Sequence, residues 1–244
     1  LAYVSMNSIE LSVIIPTLNE EAHISSLIKY LAADLQGSNY EIIVSDGKSE
    51  DRTVELAEAR GAKVVQSQKM SRAFQMNVGA KEAQGDILYF VHADARPPNS
   101  FFQLIKEAIK EGYSAGCFRF RFDSSSWLHA INSYCTRFEG MAFRGGDQSL
   151  FISKELFNSL GGFKGHYRIM EDYDIIERIR KDHLFKIIPN PILVSTRIYD
   201  SNNYFKVTFV QATIFLLYKF GASQDFMIKT YNRLILHPKA ESLQ

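Results

Sequence analysis

The feature that most constrains this chain is a fourfold alternation near its start, where short apolar runs give way to amphipathic stretches of helical length. "LSVII" (residues 11–15) is followed by a helical pattern over about 20–35, and "YEIIVSD" (Tyr40–Asp46) by one over 51–60. "AKVVQS" precedes a helix over 71–83, and "DILYFV" precedes one over 99–110. Strands joined through helices of this length run parallel, because the crossover carries the chain back to the same end of the sheet in a right-handed sense. The expected fold class is α/β, a mainly parallel central sheet flanked by helices. In such sheets ligands bind beyond the carboxyl ends of the strands. The polar residues that follow each apolar run are therefore the first candidates for function.

The second half is less regular. Ala115–Phe122 alternates like a strand, 127–138 reads as a helix, and "DQSLFIS" as a short strand. A helix begins at Lys154 and is ended by Gly161 and Gly162, another covers about 171–181, and "LFKII" and "ILVST" are short strands. Residues 205–220 form a largely apolar helix that still carries Lys206, Gln211 and Lys219. A core, dimer or peripheral lipid contact all suit it, but no apolar run approaches the roughly 18–20 residues that span a bilayer. One domain is expected, in halves over 9–110 and 111–200 with a C-terminal helical appendage over 201–244. A formal net charge of +1 gives no reason to expect nucleic acid. Two cysteines, Cys117 and Cys135, cannot frame a disulfide scaffold. The opening "LAYVSMNS" lacks the basic and apolar regions of a signal peptide, and Met6 stands near an expected natural start. Together these features predict a cytoplasmic protein.

Each of the first four strands ends in something chemical. "PTLNE" offers Pro16, Thr17, Asn19 and Glu20; a capping box from Thr17 to Glu20 is one reading, and a loop that holds a planar base is the other. Asp46 precedes a glycine, as turn residues do, and it could equally accept from a base N–H. Arg72 opposes the helix dipole at a helix start, so it reads either as a phosphate or base contact or as a solvated charge. Asn77 and Gly79 are poor helix formers in mid-helix and point to close packing or a ligand. His92 and Asp94 close the fourth strand, and a lone carboxylate there can hold Mg²⁺ together with substrate phosphates. Further on, Asp147 precedes a strand, and Glu171 and Asp172 open a helix, where their charge suits the dipole. His166, Tyr167 and Arg168 follow a loop flanked by Gly161 and Gly165 that could close as a lid. His23, His129, His183 and His237 read as surface or core residues, and Arg197 as a phosphate contact or a surface charge.

In this order, "SVIIPTLNE", "VSDGKSEDRT", "SRAFQMNVGA", "GDILYFVHAD", "GGDQSLF", "LGGF" and "MEDYDI" resemble family 2 nucleotide-sugar glycosyltransferases of the GT-A fold, over about residues 11–182. The chain is most similar to the short selenodomain-associated transferase subgroup. The resemblance implies an inverting, non-processive transfer of one sugar from a UDP- or GDP-linked donor to an acceptor hydroxyl, assisted by Mn²⁺ or Mg²⁺. Pro16, Thr17, Asn19 and Glu20 would surround the base and ribose, Asp46 would accept from the base, and Arg72 would lie near the base or diphosphate. Asn77 falls in the donor-binding set, Asp94 would ligate the metal, Asp147 would lie beside sugar and acceptor, and Asp172 would be the general base. His92 stands where the family has its first acid, a departure that weakens ribose or metal-water contacts there. The Gln-x-x-Arg-Trp motif of processive synthases is absent, and the sole tryptophan is Trp127. A binding module without turnover and a sugar nucleotidyltransferase are the rival readings. The latter calls for a Gly-rich first loop, and "PTLNE" has no glycine. No G-x-G-x-x-G follows any strand, which disfavours a dinucleotide-dependent dehydrogenase.

Overall fold

A computed structural model describes residues 8–236; the leader with Met6, and His237, lie outside the described residues. The alternation read from the sequence is realised as β1 (Leu11–Thr17), α1 (Ile24–Asp34), β2 (Tyr40–Asp46), α2 (Thr53–Glu58), β3 (Lys63–Gln66), α3 (Arg72–Glu82), β4 (Ile87–Phe90) and α4 (Phe101–Lys110). A two-residue strand, β5 (Ala95–Arg96), interrupts the last crossover and was not anticipated. The second half contributes β6 (Ala115–Phe122), α5 (Trp127–Cys135), β7 (Leu150–Ser153), α6 (Lys154–Ser159), α7 (Glu171–Asp182) and β8 (Phe185–Val194). It closes with α8 (Arg197–Asp200), α9 (Tyr204–Lys219) and α10 (Gln224–Leu234). The two short strands expected near residue 190 are one strand, β8, with a register shift against β6 between Phe118 and Arg119.

The eight strands form one sheet in the order β3-β2-β1-β4-β7-β6-β8-β5. Four of the seven neighbouring pairs are parallel. β1 is mostly apolar, with Ser12 and Thr17 among its residues, and lies fully buried between β2 and β4, because both faces of a central parallel strand are covered by crossover helices. Leu11, Val13 and Ile15 face one core with Leu31 and Phe101, while Ile14 faces the other with Met76, Phe163 and Ile175. α9 and α10 enclose a smaller third core through Val207, Val210, Ile214 and Met227. The chain leaves β1 towards β2 on one side and later returns to β4 on the other. The carboxyl ends of β1 and β4 therefore flank a topological switch point, where a crevice opens.

Candidate active site

At the ends of β1 and β2 the two loops are locked to each other. Thr17 Oγ1 donates to Asp46 Oδ1 at 3.0 Å, and Ser49 reaches the same carboxylate through its backbone N–H at 2.8 Å and its hydroxyl at 2.5 Å. Asn19, in a left-handed conformation (φ 52), donates its backbone N–H to Ser49 Oγ and accepts from the Glu50 N–H. Gln75 Nε2 reaches across from α3 to the carbonyls of Thr17 at 2.6 Å and Ser45 at 3.0 Å. A Cβ on Gly47 would lie 2.9 Å from that amide, so glycine is what lets the second loop pack here. The capping box is not formed. Thr17 remains in β1, the residue before α1 is His23 with no side-chain cap, and Glu20 turns inward.

Glu20 turns towards Arg197. The two carboxylate oxygens of Glu20 accept from Nη1 and Nη2 of Arg197, each at 3.2 Å, and the same Nη2 lies 2.9 Å from Asp94 Oδ2. The antiparallel pairing of β5 with β8 makes this contact, because Ala95 stands opposite Val194 and the turn after β8 delivers Arg197 onto Asp94. Of the two readings of Arg197, the solvated surface charge is therefore excluded.

Across the crevice, the starts of α3 and α7 meet. Arg72 Nε lies 2.9 Å from Oε1 of Glu171, whose side chain is buried; the pair lacks hydrogen-bond geometry, and both Glu171 oxygens are without a donor. The first turn of α7 carries Glu171, Asp172 and Asp174. Asp174 takes Lys164 and Arg178 as partners, whereas Asp172 has no hydrogen bond or ion pair among the described residues. Desolvation, and after it the charge of Glu171, push the Asp172 carboxyl up to about 7, against the pull of Arg72. Asp147 sits on the single 3₁₀ turn Gly146–Gln148 before β7. Water reaches it, yet the cleft walls surround it, and desolvation raises its carboxyl above the ordinary range despite His92. Burial and the Arg72 charge push His92 down, which favours the neutral imidazole. Arg72, His92, Asp94, Asp147, Glu171 and Asp172 thus act on one another across a single cleft.

Asn77 serves packing, spanning from α3 to accept from the Phe163 N–H at 2.9 Å and donate to the Phe163 carbonyl at 2.7 Å. A Cβ on Gly79 would lie 2.5 Å from Ile14 Cγ2, so close helix-sheet contact explains that glycine. The stretch of the expected lid is tied at two points: Ser71 Oγ donates to the Tyr167 carbonyl, and the N–H groups of Arg168 and Ile169 donate to Gln224. Gln75 and Ser49 were not singled out from the sequence, and Glu171 was read there only as a charge that suits the helix dipole, although Gln75 in the first turns of a helix after a strand end was a usable signal.

No group of three or more His, Cys, Asp or Glu side chains among the described residues forms a metal cage. Asp94 nevertheless fits a divalent cation of the kind held by one carboxylate and by substrate phosphates. Its side chain is 20% exposed into the crevice, with His92 and Asp147 within electrostatic reach.

The sequence model described as glycosyl transferase family 2 matches residues 12–188. A dolichol-phosphate mannosyltransferase of Pyrococcus furiosus is 36% identical over 42% of this chain, which spans 31% of that protein. A dolichyl N-acetyl-alpha-D-glucosaminyl phosphate diacetamido-dideoxy-glucuronosyltransferase of Methanococcus voltae is 26% identical over 93% of this chain and 77% of its own length. Among solved structures, a mannosyltransferase from Pyrobaculum calidifontis in complex with GDP-Man and Mn²⁺ superimposes with a TM-score of 0.65 at 18% identity, covering 96% of this chain and 72% of that one. A glucosyl-3-phosphoglycerate synthase of Mycobacterium tuberculosis with Mn²⁺ and UDP gives 0.61 at 21% identity over 88% and 81% of the two chains.

Proposed function

The chain belongs to glycosyl transferase family 2, and on that premise we propose that it moves one sugar from a nucleoside-diphosphate sugar to an acceptor hydroxyl, with inversion and without processive addition. The observation that carries this reading is Asp172. It is a carboxylate without hydrogen bond or ion pair among the described residues, pushed up to about 7 by burial and the Glu171 charge, in the same cleft as Asp94 at the sheet's switch point. A base poised near the working pH combines the ionised form with a useful affinity for the proton.

Asp172 takes the proton from the acceptor hydroxyl as it attacks the anomeric carbon opposite the leaving group. Asp147 lies beside donor sugar and acceptor. Pro16, Thr17, Asn19 and Glu20 bound the base and ribose, and the fully buried Asp46 holds the geometry of that loop through Thr17 and Ser49. Arg72 offers positive charge to the departing diphosphate. Asp94, together with the donor's own phosphates, would hold Mn²⁺ or Mg²⁺, which when bound stabilises the developing charge of the leaving group. Neutral His92 accompanies Asp94 without adding a second negative charge. The solved relatives bound to UDP or to GDP-Man with Mn²⁺ support a donor of this class.

Calorimetry with UDP- and GDP-sugars, with and without Mn²⁺, combined with an assay for released nucleoside diphosphate, tests the reading. Metal-dependent binding with turnover is expected. Tight metal-independent binding without transfer or hydrolysis would instead identify a binding module.

A further inference from the structure

Asp94 already has a cation. The Arg197 guanidinium is held on one side by both oxygens of Glu20 and on the other presents Nη2 to Asp94 Oδ2 at 2.9 Å. Its planar fork is fixed by the two carboxylates together, and its charge is permanent at any working pH. The anchor is firm at both ends. Glu20 is buried, and its own N–H donates to Thr53 Oγ1 at 2.7 Å, while Arg197 enters α8 directly after the strand that pairs with β5. A divalent ion ligated by Asp94 would stand close to the Arg197 guanidinium on Oδ2, and two positive charges that close repel each other unless negative charge is added. Beside Glu20 and Asp94, the further acid that acts on Arg197 among the described residues is Asp147.

We propose that Arg197 is a built-in counter-ion that blocks Asp94 against divalent cations until a donor diphosphate arrives. The two negative phosphates supply the missing charge, so that metal and Arg197 can then occupy the site together, with Arg197 retained on Glu20 and its freed edge turned to the diphosphate. Metal binding thereby becomes conditional on the donor, and the loop that carries Glu20 is coupled to the metal position through one side chain. The proposal rests on the donor reading for its second half only. The exclusion of metal from Asp94 stands on the ion triad.

The test is Mn²⁺ binding followed by the electron paramagnetic resonance of free Mn²⁺, on the intact protein, without nucleotide and then with UDP or GDP. Wild type is expected to bind Mn²⁺ at least tenfold more weakly without nucleotide than with it. Arg197→Gln is expected to gain tenfold or more in affinity for Mn²⁺ alone, Asp94→Asn in that background to abolish the gain, and Arg197→Lys to restore exclusion. Equal affinity of wild type with and without nucleotide overturns the proposal, and this comparison needs no variant. So does a folded Arg197→Gln, verified by circular dichroism, whose affinity for Mn²⁺ alone is unchanged or lower. If neither nucleotide binds under any condition, the donor reading fails, and the Arg197→Gln comparison with Mn²⁺ alone still judges the exclusion.

Discussion

The ends of β1 and β2 and the start of α7 both gather carboxylates, yet they treat them in opposite ways. Asp46 is buried and accepts from Thr17 and twice from Ser49, so its charge is compensated and its geometry fixed by the protein itself. Glu171 is equally buried but has no donor, only the Arg72 charge beside it, and Asp172 has no donor and no ion pair among the described residues, only the more distant pull of Arg72. The first region is finished before any ligand comes. The second stores electrostatic tension that raises the Asp172 carboxyl to about 7. In the proposed reaction both are used, since preorganisation serves binding of a rigid base and a destabilised charge serves proton transfer. Apolar side chains also stand exposed at the surface, among them Trp127, Tyr134, Phe138 and Phe143, with Phe205, Phe209 and Leu216 on α9 and Phe220 at its end, the last 85% exposed. α9 is apolar on both sides, because its inner face of Val207, Val210 and Ile214 is core.

The sharpest way to break this contrast is Asp172→Asn. Turnover should fall by about 10²- to 10⁴-fold, the usual contribution of a general base, with donor affinity nearly unchanged by calorimetry. Normal turnover would remove the base from α7. Asp46→Ala should act through stability instead: stranding the buried Thr17 donor and the half-buried Ser49 donors costs about 2 kcal/mol, read as a lower urea midpoint. Glu171→Gln separates the two regions further. Removing that negative neighbour makes Asp172 easier to ionise, so the acid limb of kcat/KM, expected near pH 7 in wild type, should move to lower pH. An unmoved limb would place the titrating group elsewhere.

Linkage gives a fourth expectation. The Asp172 carboxyl is raised above its unfolded value, so the native state binds the extra proton between about pH 4 and pH 7. Its contribution to stability is therefore present at acid pH and is lost as pH rises through about 7. Asp172→Asn should flatten that part of the stability profile measured by urea unfolding. The smallest effect belongs to the surface: Phe209→Ser and Phe220→Ser should each change stability by less than about 0.5 kcal/mol, as exposed positions do, whereas Ile214→Ala in the same helix should cost about 2–5 kcal/mol. Comparable losses at all three positions would show that the outer face of α9 is covered.

Much of this was legible in the chain itself. The period of the apolar residues fixes strands and helices locally, and parallel connection then fixes which end of the sheet carries the ligand, so Thr17, Asp46, His92 and Asp94 could be placed at the crevice before any coordinates. The boundaries of β8, the two-residue β5 and the two short helices that flank α9 had weaker local signals and were decided by pairing and packing. The capping pattern of Thr17 and Glu20 shows how a correct local signal can lose. The pattern is worth about 1 kcal/mol, and a buried pairing with Arg197, from far along the chain, outcompetes it. What the sequence determined by itself is the order of elements and the kind of side chain at each strand end, because both depend on neighbours a few residues apart. Only the tertiary structure decided which charges are compensated. Arg197 on Asp94, Asn77 on Phe163 and Arg72 on Glu171 join segments with no common local pattern, and electrostatic energy depends on distance in space and on exclusion of water, neither of which a sequence states.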